Sequence, residues 1–156
     1  MFSIFAHTDN VLQSSYALPD VHINWLSIIA ATVAAMIIGW IWYGPLFGKQ
    51  WMKLVKLTKK DTEKAWKTPM MVMLVMAFLQ ALIVKHFIIY VGYFYQDMGD
   101  LSVGVLTGFW LFAGIALPLV LSSNMFARRH INLSYIEAGN QFVTLITIGA
   151  ILAVWT

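Results

Sequence analysis

Four stretches of the chain are long and apolar enough to cross a bilayer, and charged or turn-rich segments separate them. A helix needs roughly 20 apolar residues to span a hydrocarbon core about 30 Å thick. The first stretch is predicted as a helix over about 23–43. Its middle, Ile28 to Ile38, holds no charged residue. Trp25 marks one end and Trp40, Trp42 and Tyr43 the other, as aromatic belts do at the two interfaces of a membrane. Gly44-Pro45 is expected to stop it, because proline lacks the N–H and disfavours helix at the residue before it. The second helix is predicted over about 69–95, with Pro69 at its first position and Tyr90, Tyr93, Phe94 and Tyr95 at its outer interface. The third is predicted over about 103–127 with a kink at Pro118, where a side chain on Gly114 would add to the crowding. The fourth is predicted over about 134–155. It opens on Ser134-Tyr135-Ile136-Glu137, a capping box in which the Ser and Glu side chains each satisfy a free backbone N–H.

Between the first two helices, Lys49 to Lys67 holds seven lysines against Asp61 and Glu63. Phe47, Trp51, Leu54 and Val55 recur at helical spacing while Lys49, Lys53 and Lys56 point elsewhere. This predicts a short basic amphipathic helix lying on the membrane, with Lys49, Trp51, Lys53 and Lys56 against lipid headgroups. Thr58-Lys59-Lys60-Asp61 fits a second capping box and a further short helix. The loop after the third helix holds Arg128 and Arg129. The amino-terminal tail, the central outer loop and the carboxyl terminus hold no Lys or Arg. Basic loops stay in the cytoplasm, so both termini are expected to be non-cytoplasmic. The predicted architecture is an all-α membrane protein: a non-cytoplasmic tail over 1–22 and a four-transmembrane-helix bundle over 23–156, with sequential helices as antiparallel neighbours. Met1 to Ala6 carry no Lys or Arg and do not read as a cleaved signal. The expected location is the cell inner membrane, multi-pass.

Composition agrees. Hydrophobic residues make up 60% of the 156 and charged ones 11%, against about 25% charged in soluble domains. The net charge of +3 gathers in one loop, which speaks to topology and lipid rather than to nucleic acid. The chain has no Cys, which excludes disulfides and thiolate chemistry. There is no Gly-rich phosphate loop, nucleophile elbow or ordered Ser/His/Asp set. His7, His22, His86 and His130 lack metal-ligand spacing, so no metal or cofactor is expected.

Lipid gives helices no hydrophobic reason to associate, so small residues that let backbones meet mark the contacts. Ser27, Ala31, Ala35 and Gly39 form one such ridge and Gly104 and Gly108 another; Gly139, Ala150 and Ala153 share a face of the fourth helix. Ionisable groups within the membrane are costly and are candidates for function. Lys85 and His86 lie in the second helix. Lys85 is near enough to Tyr90 for its stem to snorkel to the headgroups; the other reading is an anion contact or a proton relay. Glu137 is either the capping-box residue or a site group. On the fourth helix Glu137, Asn140, Gln141, Thr144 and Thr147 share a polar face, with Ser122, Ser123 and Asn124 at a comparable depth on the third. That face predicts either hydrogen bonds between helices or a water-filled vestibule.

Asn24-Trp25, then Trp42-Tyr43-Gly44-Pro45-Leu46-Phe47-Gly48-Lys49, then Trp51-Met52-Lys53-Leu54 resemble the signature of a family of small bacterial membrane proteins, domain of unknown function 1761. The resemblance continues through Asn124, Phe126, Leu133, Ile136, Ala138-Gly139, Val143, Gly149-Ala150-Ile151-Leu152 and Trp155. It implies a four-helix membrane fold and supplies no activity, substrate or catalytic residue. The chain departs from the family where the fourth helix begins. There the pattern reads Ile-Asn-Ala-Gly and an aromatic, and this chain reads Ile136-Glu137-Ala138-Gly139-Asn140, which implies that Glu137 and Asn140 are not family-wide machinery.

Three functions compete. A structural or accessory subunit would pack through the two ridges, as a homo-oligomer or in a larger membrane complex, and this is the expected one. A small homo-oligomeric transporter or channel would run a polar path along the fourth helix and Lys85. An intramembrane enzyme would rest on Lys85 and His86 alone.

Overall fold

The structure, a computed structural model, describes residues 22–58, 60–61 and 66–155. The predicted tail, apart from His22, lies outside the described residues, as do Lys59, Glu63 and Lys64. Four long helices form the molecule: α1 (Trp25–Leu46), α3 (Lys67–Phe94), α4 (Asp100–Phe126) and α5 (Ile131–Val154), each long and apolar enough to cross a membrane. The short helix α2 (Gly48–Val55) follows α1. There is no strand among the described residues.

Local chemistry sets the helix ends. Asn24 caps α1, its Oδ1 accepting from the Leu26 and Ser27 amides at 3.1 and 3.3 Å. Pro45 does not stop the helix as expected. The last turn, Trp42–Leu46, widens into a π turn that contains Pro45, and the Phe47 amide donates to the Trp42 carbonyl at 2.9 Å. The wider turn makes room for the ring, so the missing N–H redirects the chain without ending the span. At Gly48 the chain then doubles back so closely that a Cβ would strike the Tyr43 carbonyl oxygen. Thr58 and Asp61 cap each other: the Thr58 amide donates to Asp61 Oδ2 at 2.9 Å and the Asp61 amide to Thr58 Oγ1 at 3.4 Å.

α3 starts at Lys67, which makes Pro69 the third helical residue and not the first. Its missing N–H is still one of the four that a helix start leaves unpaired. α4 starts earlier than predicted, at Asp100, whose charge suits a helix amino terminus. Its middle also opens into a π turn, Phe112–Ala116, with one residue, Leu117, between it and Pro118. A Cβ on Gly114 would meet no atom within 4 Å, so the crowding expected there is absent; the π turn relieves it. α5 starts at Ile131, capped by His130, whose Nδ1 accepts from the Asn132 amide at 3.2 Å. The capping box predicted at Ser134 is therefore not formed. Ser134 lies inside the first turn, buried, its Oγ without a hydrogen-bond partner, and Glu137 is used elsewhere.

α5 is the axis of the bundle. Half of its membrane-spanning window is buried, against a fifth to a third in the other spans. Ile148 and Leu152 on α5 are wholly enclosed, with Ile28 and Ala31 of α1 and Ala81 and Val84 of α3 in the same core. Against α4 the approach is backbone to backbone. A Cβ on Gly104 would overlap the Gly149 carbonyl oxygen and come within 2.5 Å of Ala153 Cβ; one on Gly108 would come within 2.5 Å of the Leu145 carbonyl oxygen. Ser27, Ala31, Ala35 and Gly39 are buried too, so both predicted ridges are spent on contacts within the chain. The remaining large apolar side chains, Leu26, Ile29, Val33 and Ile37 of α1 among them, point outward, as lipid permits and water does not.

Lys85 is not extended to the headgroups. It is buried, 3% exposed, and its Nζ donates to the Leu152 carbonyl at 2.9 Å. That carbonyl belongs to the last turn of α5, among the carbonyls that a helix end leaves without an intrahelical partner. A cation at a helix carboxyl terminus also opposes the negative end of the dipole. Lys85 thus ties the middle of α3 to the end of α5.

Two stability predictions follow from these contacts. Gly104→Leu is expected to cost ~3 kcal/mol through overpacking, while Gly114→Ala is neutral or slightly stabilising, and thermal unfolding in detergent compares them. Equal melting temperatures would mean that the α4–α5 contact is not the tight one. Lys85→Met is expected to lose about 1–2 kcal/mol, because a buried acceptor loses its donor. A gain in stability would show that burying the ammonium costs more than the cap returns.

Candidate functional site

The bundle is open at its basic-loop end. In α3 every residue from Trp66 to Met76 is exposed, and burial begins only at Ala77. This first third of α3 stands away from α1, and the space between them is a cavity of about 720 Å³. Met36, Trp40 and Tyr43 of α1 form one wall and Trp66, Met70 and Met73 the facing one. Trp51 of α2, with Leu57 and Asp61 beyond it, closes the end, and Glu137 reaches in from α5.

Each wall has a local cause. The π turn at Pro45 brings α2 back under α1, which sets the Tyr43 and Trp51 rings edge to face with centroids 5.5 Å apart. Trp42, on another side of the same turn, reaches α5. Its indole N–H donates to the Ile136 carbonyl at 2.9 Å, and its ring lies where a Cβ on Gly139 would come within 2.8 Å. The indole is a spacer: it fills the gap between α1 and α5 next to the cavity. The capping pair at Thr58 holds the Asp61 carboxyl below its ordinary pKa, through the hydroxyl first and the amide second, so Asp61 is charged at neutral pH.

Glu137 is the acidic group of the spans at the basic-loop end. Its Oε2 accepts from Asn124 Nδ2 at 2.6 Å, and Asn124 is itself 2% exposed. Asn124 is placed by the turn that ends α4, where its carbonyl accepts from the Arg129 amide at 2.9 Å. Glu137 Oε1 takes no hydrogen bond from a described residue, and no described Lys or Arg forms an ion pair with the carboxyl. Further along α5, Gln141 Oε1 accepts from Gln80 Nε2 of α3 at 3.3 Å. Asn140 and Thr144 are buried, and Asn140 Nδ2 has no hydrogen-bond partner among the described residues. Past Thr144 the buried side of α5 is Leu145, Ile148, Gly149, Leu152 and Ala153. Of the polar face, Glu137 and Gln141 are bonded to other helices, Asn140 and Thr144 are buried, and Glu137 is the one that lines the cavity.

The candidates separate into two places. Glu137 and Asn124 meet at the cavity. Lys85 meets the Leu152 carbonyl, 15 residues and ~22 Å away along α5. His86 turns back on its own helix, its Nδ1 2.7 Å from the Leu82 carbonyl oxygen. Ser122 and Ser123 are exposed and bond to carbonyls of their own helix. Lys49, Lys53 and Lys56 are exposed while Trp51 is half-buried. No group of three His, Asp or Glu that would hold a metal occurs among the described residues. Sequence reasoning missed Trp40, Tyr43, Trp66, Met70 and Met73 as one set. The density of Trp and Tyr on both sides of the lysine-rich segment was the available signal, and it reads equally as an interfacial belt.

No curated protein and no solved structure matches the chain. The family model described as "Protein of unknown function (DUF1761)" matches residues 26–153. That range runs from the first turn of α1 to the last turn of α5, and the chain belongs to this family.

Proposed function

We propose that this is a small membrane-embedded binding protein, in which the bundle is a scaffold for one ligand cavity at its basic end. The observation that carries this is the cavity itself. Its volume, about 720 Å³, is that of small-molecule sites, which are roughly 300–1,000 Å³ and mostly apolar with a few placed polar groups. The wall supplies that mixture: three tryptophans, a tyrosine and methionines, with Glu137 fixed by Asn124.

The charge distribution supports an orientation with this end in the cytoplasm. Seven lysines in the segment before α3, with Arg128 and Arg129 before α5, put both basic connections inside and both termini outside. α2, with Lys49 and Lys53 exposed, then lies against anionic headgroups of the inner leaflet. The membrane proposed is the cell inner membrane.

A second reading, an accessory subunit or homo-oligomer, has one observation in its favour. A bundle helix ordinarily buries one face, and the exposure of Trp66 to Met76 on every side leaves room for another copy or a larger subunit. The predicted ridges do not supply that interface, since both are used within the chain.

Two measurements test these readings. The chain lacks Cys, so single cysteines report topology cleanly: Lys53→Cys is expected to react with a membrane-impermeant maleimide only in inverted vesicles, and Asp97→Cys only from outside. The reverse pattern overturns the orientation. Native mass spectrometry of protein extracted from membranes is expected to show a small-molecule adduct that Gly44→Trp removes. A side chain at Gly44 enters open space, with nothing within 4 Å of its Cβ. Adducts unchanged by Gly44→Trp would remove the cavity reading, and a single chain with no partner would remove the accessory one.

A further inference from the structure

We propose that the cavity takes a lipophilic organic monocation, a quaternary ammonium or an aromatic phosphonium, with Glu137 as its counter-charge and Trp40, Tyr43, Trp51 and Trp66 as its walls. This rests on the ligand-cavity reading and names the ligand class for it.

The charge of the lining is the first argument. The lysine-rich segment flanks the cavity, yet the described lining residues include Glu137 and Asp61 and no Lys or Arg. The described lysines of this end, Lys49, Lys53, Lys56, Lys60 and Lys67, are exposed, and none of them lines the cavity. A carboxyl beside an apolar cavity is favourably placed to face a cation. Here one Glu137 oxygen is held by the neutral amide of Asn124, and no described Lys or Arg pairs with the carboxyl, so a cationic ligand has a place beside it. Asn124 also fixes where that charge sits.

The walls decide which cation. Calcium or magnesium requires six or more oxygen ligands or retained waters, and this lining offers two carboxyls amid aromatic and thioether groups. An organic cation has its charge spread under carbon and is weakly hydrated. Aromatic faces attract it by about 0.5–2 kcal/mol each, and its apolar body gains by leaving water. A zwitterionic lipid headgroup brings an ammonium too, but also a phosphate, which the two carboxyls would repel and no Lys or Arg among the described lining residues would hold. The opening between α1 and the exposed first third of α3 gives a lipophilic molecule a route in from the membrane.

The full-length protein in detergent is titrated with tetraphenylphosphonium and followed by calorimetry, in parallel with triphenylphosphine oxide as an uncharged relative. Saturable phosphonium binding is expected, at least tenfold tighter than the oxide. Glu137→Gln is expected to weaken it tenfold or more, Trp51→Leu by roughly threefold to tenfold, and Asp97→Asn, outside the cavity, not at all. Helical content and melting are checked for each variant, so that the Trp51 variant carries the test if Glu137→Gln unfolds. No saturable binding, equal binding of the oxide, or full binding by folded Glu137→Gln overturns the proposal. So does displacement of the phosphonium when phosphatidylethanolamine is added to phosphatidylglycerol nanodiscs, which would assign the cavity to a lipid headgroup. If phosphonium fails to bind while Gly44→Trp still strips a native adduct, the cation class falls and the cavity reading stands; loss of both results removes both.

Discussion

The close approach of α4 and α5 sets the geometry of everything else. In lipid, bringing two apolar helices together removes no apolar surface from water, so association depends on packing and on hydrogen bonds. Gly104 and Gly149 let the two backbones meet, and Gly108 continues the seam against Leu145. With α5 held there, its buried side is filled by Ile28 and Ala31 from α1 and by Ala81 and Val84 from α3. One pair of glycine-rich faces therefore makes α5 the axis.

Polar groups follow a rule that the same solvent imposes. Most described buried polar side chains are satisfied by a neighbouring helix or by the turn behind them: Lys85 by a helix-end carbonyl, Gln80 by Gln141, Asn124 by Glu137, Thr32 and Thr107 by carbonyls four residues back. Of the three prolines in the spans, Pro69 sits in the first turn of α3, and the other two are absorbed by π turns, Pro45 within one and Pro118 just after the other. A π turn keeps the backbone hydrogen-bonded while changing its direction, so the spans bend without exposing peptide groups to hydrocarbon.

How much of this was legible in the sequence varies with the physics behind each feature. The four spans were, because length and hydropathy answer directly to bilayer thickness. The small-residue faces were also legible as contacts, but not their partners: four-residue spacing marks a close approach and is silent on whether the other helix belongs to the same chain. Helix starts were misread by the length of a turn. Ser134 to Glu137 satisfies a capping pattern locally, yet His130 caps first, and a cap works only at the residue where the helix begins. Lys85 was placed by its distance from the interface, whereas its position depends on where α5 ends, which is tertiary information. The cavity was the least legible part. It is made by residues from four elements whose aromatic character already had a sufficient explanation at the membrane interface.

The two ends of the bundle differ for one reason. Small residues face one another where the helices meet tightly, at Ser27, Ala31, Ala81, Gly104, Gly108 and Gly149, and these lie toward the end away from the lysines or at mid-span. At the basic end the corresponding places hold Trp42, wedged over Gly139, and the methionines of α3. The indole keeps α1 on α5 at this end, while the first third of α3 is exposed and stands off from α1. The cavity is thus a consequence of where bulk sits along the spans, and Glu137 borders it because Asn124, on the last turn of α4, holds the carboxyl at that depth. Replacing Glu137 by Asn would leave the walls of the cavity in place and remove the charge at that depth. The shape of the cavity accordingly follows from how the helices pack, and its innermost charge from one side chain.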